Sequence, residues 1–431
     1  MKRGKAPLWV PQGNSKTVRL PSNPCRLNIC KLYGRQPLKK KYSTLRYSNL
    51  NRFWYNIGMK NPFKYGSRVS GGAFFDRERI MRDMLGVIDG GNNVVLYGPR
   101  RFGKSSLVLE VVSRLRERGW VCVEVNLMDV ASLEDFIAQY ARALYREASP
   151  VVGTLRHVAS LFRRVTPAIS IAEDGKPELK FEISSRKAGI AALRDVLELP
   201  SKICPAGRTL IVLDEFQEVE SLGLGAQFER TMRSVIQNQP DISYVFLGSK
   251  THMLERMFAS PSRPFYNSAQ KFVLSRPPVE ESRAFVVGRF ASVGITMPEA
   301  LAAKIVALAG NVPYYIQAIS SWVYNTLAGG RSRTVSAADV DEAFQSLYAT
   351  ETILLENVFV AHPKSQRLLM RALAKEPTSR FDEGYRDRHA LPSTSTVNTA
   401  LKRLMKESVV ESQGGVHSLA DPLLAYHLSR R

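Results

Sequence analysis

One stretch constrains this chain more than any other: a short apolar run that ends in a glycine-rich loop and resumes as a helix. Val94-Val95-Leu96-Tyr97 suits a buried strand, and Gly98-Pro99-Arg100-Arg101-Phe102-Gly103-Lys104-Ser105 then matches G-x-x-x-x-G-K-[ST] in full. From Lys104 to Leu115 apolar residues recur at helical spacing. Strand, loop and helix in that order are the context in which this motif holds phosphate. Glycine lets backbone N–H groups turn inward onto phosphate oxygens, and the helix N-terminus adds a dipole of the right sign. The expected cradle is therefore Gly98, Pro99, Arg100, Arg101, Phe102, Gly103, Lys104, Ser105 and Ser106. Lys104 is expected to reach the β- and γ-phosphates of a nucleotide, and the Ser105 hydroxyl to ligate Mg²⁺. A chance match is the bland alternative, and the correct strand and helix on either side weigh against it.

A second stretch answers the first. Thr209-Leu210-Ile211-Val212-Leu213 reads as a central buried strand and delivers Asp214-Glu215 to its C-terminal edge. In open α/β sheets ligands bind at that edge. Asp214 is expected to hold the metal and Glu215 to polarise the attacking water. Alone, the pair reads equally well as two solvated acids after a core strand; beside the loop the functional reading leads. One unit later Tyr244-Val245-Phe246-Leu247 forms another strand ending in Gly248-Ser249-Lys250. Ser249 can sit between the two catalytic strands and orient water near the γ-phosphate, although strands commonly end this way.

Charge needs its distribution before it means anything. The chain of 431 residues carries a net +22, yet residues 1–58 hold thirteen Lys or Arg and no Asp or Glu, which leaves 22 − 13 = +9 for the rest. The nucleic-acid signature of the whole is thus mostly that of one segment. Residues 1–58 lack periodicity, and three readings compete: a disordered basic arm, a targeting leader, or upstream sequence from a mis-assigned start. The third is favoured, because Met59-Lys60-Asn61-Pro62 reads as a natural beginning. No apolar h-region follows the basic start, which argues against a secretory signal. No run of 18 apolar residues is present, so no membrane-spanning helix is expected. Of four cysteines, Cys25, Cys30, Cys122 and Cys204, none shows metal spacing. Cys122 lies in an apolar run and reads as a core residue of a reducing compartment, which points to the cytoplasm.

Phe74-Phe75-Asp76-Arg77-Glu78 leads into an amphipathic helix carrying Ile80, Met81, Met84, Leu85 and Ile88. Beyond the loop helix, Trp120 to Val125 form a strand and Ser132 to Arg146 a helix, a βαβ alternation that predicts a mostly parallel sheet covered on both faces. Ile169 to Ile183, around Asp174-Gly175, read as an inserted hairpin, and Ala188 to Leu199 as a helix. The chain is then helical over Val279 to Val293, Pro298 to Ala309, Pro313 to Leu327 and Ala337 to Tyr348. Gly310-Asn311-Val312-Pro313 reads first as an ordinary helix stop with Pro at the next start.

The last unit holds a helix from Ser365 to Lys375. A second begins at Ser393-Thr394-Ser395, turns Val397, Leu401 and Leu404 inward and carries Lys402, Arg403 and Lys406. A hairpin signal follows at Gly414-Gly415. Together they read as a winged helix-turn-helix. Such a domain can place its second helix in a DNA major groove, but it serves as often as a protein-contact module. One Lys-Arg-Lys cluster is a modest footprint, so DNA is the lesser expectation.

Taken in order, Phe75-Asp76-Arg77-Glu78, the phosphate loop, Leu213-Asp214-Glu215-Phe216-Gln217, Leu247-Gly248-Ser249, Gly310-Asn311-Val312-Pro313 and Ala420-Asp421-Pro422-Leu423-Leu424 resemble the archaeal-type ATPase family. That family belongs with the STAND class of signal-transduction ATPases, close to AAA+ ATPases. The resemblance covers about residues 59–431. It implies an α/β P-loop NTPase (AAA+-like) core with a parallel sheet at 59–275, a helical lid at 276–350 and a winged helix at 351–431. It also implies that Phe75 and Arg77 lie near the adenine, with Asp76 where the family has Gly. Pro313 would be the lid proline that closes over the base, and Ser249 the first sensor. Pro264-Phe265-Tyr266-Asn267-Ser268 lacks the Arg that the family carries there, and Arg263 is the nearby substitute for an arginine finger.

The expected function is a cytoplasmic ATP-binding switch with slow Mg²⁺-dependent hydrolysis, acting on an unidentified protein partner and self-associating with nucleotide. Lys104, Glu215 and Ser249 would be its catalytic residues. Two other classes stay open: a DNA-remodelling or replication AAA+ ATPase, and a non-hydrolysing interaction scaffold.

Overall fold

The computed structural model describes residues 60–68, 77–152, 159–161, 168–171, 177–180, 185–222, 225–327 and 332–431. The expectations placed on residues 1–58, on Phe75 and Asp76, and on the Asp174-Gly175 turn lie outside them. Glu78–Asp89 (α1) buries Met81, Met84, Leu85 and Ile88, one stripe at helical spacing. Val94–Tyr97 (β1) is buried at all four positions, as a parallel strand covered on both faces requires. Lys104–Glu117 (α2) follows the loop and buries Leu107, Val108, Val111, Val112 and Leu115, each worth about 1.5–3 kcal/mol out of water.

Val121–Asn126 (β2) and Leu133–Val152 (α3) come next. Ala168–Ile171 (β3) pairs antiparallel with Pro177–Lys180 (β4), which is the expected hairpin. Arg186–Glu198 (α4) and Pro200–Ile203 (α5) lead to Thr209–Asp214 (β5). Ala226–Ile236 (α6), Ile242–Gly248 (β6), Thr251–Ala259 (α7) and Gln270–Val273 (β7) complete the core. The sheet runs β2-β5-β6-β1-β7, and every neighbour is parallel. β7 had no sequence signal: it is a four-residue edge strand, Gln-Lys-Phe-Val, with no fully buried position. The order decides the chemistry. β6 lies between β1 and β5, with Tyr97 opposite Gly248 and Leu213 opposite Phe246, so three strand ends meet at one edge.

Val279–Ala291 (α8), Glu299–Leu308 (α9) and Pro313–Leu327 (α10) form the helical region expected as a lid, close to their expected bounds. Ala337–Val360 (α11) starts on a capping box between Ser336 and Asp339 and runs 24 residues, well past the expected end at Tyr348. Its later residues include the exposed Ile353 and Leu354, so the inward stripe that marks a helix in sequence fades there. Lys364–Lys375 (α12), Glu383–Arg388 (α13), Thr394–Lys406 (α14), Val410–Gln413 (β8), Val416–Leu419 (β9) and Pro422–Ser429 (α15) make the winged helix. The helix bearing Lys402, Arg403 and Lys406 is its third and not its second, because α13, six residues capped by Asp382, precedes it and is too short to show a periodic stripe.

Cys122 is buried in the core as expected. No helix among the described residues is long and apolar enough to cross a membrane.

Candidate functional site

The two glycines of the loop are needed for different reasons. A Cβ on Gly98 would stand 2.6 Å from the Leu274 carbonyl oxygen, so only glycine lets the chain just past β7 come this close. Gly103 caps α2 with φ at +85°, a backbone state that other residues adopt at a cost. Arg101 takes a positive φ as well. Lys104 Nζ donates to the carbonyl oxygens of Gly98 at 2.7 Å and Pro99 at 2.8 Å. Burial lowers its pKa to about 8, against the raising pull of Glu215 and Asp214.

The acid strand arrives beside the loop. Ser105 Oγ lies 3.3 Å from Asp214 Oδ2, which brings together two hard oxygen donors of the kind Mg²⁺ accepts. Burial raises the Asp214 pKa, while Arg68 opposes that shift. Glu215 sits in the left-handed region with φ at +54°, a strained state typical of functional positions. Its Oε2 accepts from Ser249 N at 3.1 Å, Ser249 Oγ at 3.0 Å and Gln217 Nε2 at 2.5 Å. Burial would raise its pKa, but Gln217, Ser249 and then the Lys104 charge outweigh it, and the net shift is downward. Glu215 is thus an ionised carboxylate fixed by three donors.

A cavity of about 470 Å³ opens over these groups. Arg77, Arg100, Arg101, Phe102, Gly103, Lys104, Ser105, Ser106, Glu215, Ser249 and Pro313 all line it. Gly98 and Pro99 do not; they contribute the carbonyls that hold Lys104. Asp214 lines an adjoining cavity together with Ser105 and Arg68. Arg77 donates to the carbonyls of Phe102 at 3.2 Å and Ser275 at 3.0 Å, bracing the loop against the chain beyond β7. Arg263 is ion-paired within the core to Glu220 and Glu229.

Several site residues carried no sequence signal. Arg68 bridges Glu124 and Asp214, 3.1 Å to each. Lys64, Tyr65, Tyr314 and Gln317 also line the cavity. The segment that carries Arg68 is anchored on the lid through Asn61, whose amide donates to Ser321 Oγ at 2.9 Å and to Asn325 Oδ1 at 3.1 Å. Arg101 reaches the other way, to Asp421 Oδ2 at 2.7 Å. Tyr315 donates to the same oxygen at 2.6 Å, and Asp421 Oδ1 caps α15. Gln217, directly after Asp-Glu-Phe, and Asp421, in the terminal motif, could have been suspected from their places in the chain.

Known proteins resemble this chain in sequence and in fold. The sequence model described as Novel STAND NTPase 1 matches residues 66–381, and the one described as Probable winged helix domain matches 354–430. An uncharacterized ATP-binding protein of Methanocaldococcus jannaschii is 24% identical over 163 residues; the match spans 35% of this chain and 44% of that protein, less than half its length. A Walker-type ATPase of Pyrococcus abyssi superposes with a TM-score of 0.59 at 18% identity, over 85% of this chain and 99% of that one. The ORC2 protein of Aeropyrum pernix, in ADPNP and ADP complexes, gives 0.52 at 15% identity, over 82% and 92%. At these identities the likeness is one of fold.

Proposed function

The chain belongs to the novel STAND NTPase 1 family, and from that premise we propose that it is a cytoplasmic ATP-binding switch. It hydrolyses ATP slowly with Mg²⁺ and passes the state of its nucleotide to the winged helix. Lys104 and the loop amides would bind the phosphates, and Ser105 and Asp214 would hold the metal. Mg²⁺ bound there would screen the charge on the β- and γ-phosphates. Glu215 accepts hydrogen bonding from the attacking water, and Ser249 fixes Glu215. Arg77, Pro313 and Tyr314 shape the base end of the cavity.

One observation carries the switch: Arg101, a residue of the phosphate loop, is ion-paired to the cap of the last helix of the winged domain. A phosphate that draws Arg101 inward weakens that tie and so biases the position of the winged domain. Arg276 also ion-pairs with Glu411 and donates to Gln413 of the wing. That contact supports an internal, protein-facing role for the winged helix over DNA.

Phosphate release from ATP by the full chain, dependent on Mg²⁺ and abolished by EDTA, tests the enzymatic part; nucleotide binding without release would support the scaffold reading instead. Arg68 offers a sharper check. Its guanidinium occupies the Asp214 oxygen that a metal would need, and at 43% side-chain exposure the pair is worth about 1 kcal/mol or less. Arg68→Ala is expected to lower the Mg²⁺ midpoint of phosphate release by up to about fivefold. A midpoint that stays put or rises would remove Arg68 from competition at this carboxylate.

A further inference from the structure

The phosphate loop is a wall of two cavities. Phe102 lines both, and behind it, with Gly98 and Pro99, lies a groove of about 660 Å³. Its other walls are the start of α7, the end of β7, α14 and β8. The volume falls within the range of small-molecule sites.

Two features show what the groove would take. The first is apolar surface left open: Val273 is 56% and Met405 38% exposed, beside the buried Phe102 and Leu274. The second is polarity without partners. Both ring nitrogens of His252 are buried with no hydrogen-bond partner among the described residues. Lys402 and Lys406 stand one turn apart on the exposed side of α14. Arg276, by contrast, is taken by Glu411 and Gln413. The field at His252 is positive. Its pKa is lowered by burial first and then by Lys406, Arg256 and Lys250, with Glu220 opposing. Glu255 also lines the groove, and burial raises its carboxyl pKa.

We propose that this groove binds a small amphipathic anion. An aromatic or aliphatic body rests on Phe102, Val273, Leu274 and Met405, and its carboxylate, sulfonate or phosphate lies between Lys402 and Lys406. Because the loop is common to both cavities, this ligand and the nucleotide alter each other's affinity by the same factor. Binding in the groove does not itself depend on nucleotide or hydrolysis.

The test is a fluorescence titration of the full chain with 8-anilinonaphthalene-1-sulfonate, a rigid aromatic anion that brightens in apolar sites. Saturable binding is expected, displaced by dodecanoate. Reversing both lysines, Lys402→Glu with Lys406→Glu, is expected to weaken it by about tenfold or more, roughly 1.4 kcal/mol. Val273→Trp, at an exposed edge position, fills the groove and is expected to abolish the signal. Fluorescent ADP binding, measured without the probe in the same preparations, should stay within about twofold of wild type in both variants. Those readings show that each variant is folded and separate failure at the groove from failure at the nucleotide site. Probe binding that is absent, does not saturate, or is unchanged in both variants overturns the proposal. So does displacement by an acidic apolar peptide but not by dodecanoate, which would make the groove a protein-docking surface.

Discussion

Glu215→Gln is expected to slow phosphate release by roughly 10²–10⁴-fold, the usual contribution of a positioned base, and to leave ATP affinity within about twofold. The expectation rests on how the carboxylate is held. Ser249 N and Oγ and Gln217 Nε2 all donate to Oε2; none of these bonds reaches Oε1. These donors keep Glu215 ionised against the pull of burial. Gln has nearly the same shape and still accepts from Ser249, so the cavity wall is preserved. It has neither the charge nor the basicity to draw a proton from water. Its amide also gains donor hydrogens in a shell built to serve an acceptor. Single-turnover phosphate release beside equilibrium binding of a fluorescent ATP analogue separates the two effects. Unchanged turnover would take Glu215 out of the chemistry and leave it a structural acid.

Lys104→Ala is expected to weaken ATP and ADP binding on the order of 100-fold, about 3 kcal/mol, the scale of one or two hydrogen bonds to charged groups. Lys104 is buried, and its ammonium is held at the loop by the Gly98 and Pro99 carbonyls. Phosphate oxygens would replace carbonyl dipoles with full charges. The same burial makes the wild-type site pH-sensitive. With the pKa near 8 before binding, a phosphate that requires the ammonium must drive proton uptake above that pH. Affinity should therefore be flat below about pH 8 and fall up to about tenfold per unit above it, provided the bound lysine stays protonated. Lys104→Ala should flatten the profile. A variant that binds nucleotide as tightly as wild type would remove the loop from phosphate binding altogether.

The phosphate loop and the acid strand were legible because each is local. The loop motif, the strand before it and the helix after it are contiguous, and each carries its own signal: an apolar run, a glycine with positive φ, a buried stripe. β5 and its two acids announce themselves in the same way, as do the lid helices and the Gly414-Gly415 wing. Elsewhere the local signal fades. β7 is four residues long and partly exposed, α13 is a six-residue helix, and the later part of α11 carries exposed Ile353 and Leu354.

From its order of residues alone, this chain declared that it would cradle phosphate and set two acids at a strand end. Backbone geometry and apolar patterning act over a few residues and survive without knowledge of the fold. Who would stand next to those groups was decided by the strand order β2-β5-β6-β1-β7 and by how the lid and winged helix close on the sheet. Arg68 meets Asp214 across 146 residues, and Arg101 meets Asp421 across 320. Gly98 is indispensable because of Leu274, not because of its neighbours. Such contacts depend on where crossovers and domain packing place two distant side chains, and no periodicity in either segment encodes that meeting.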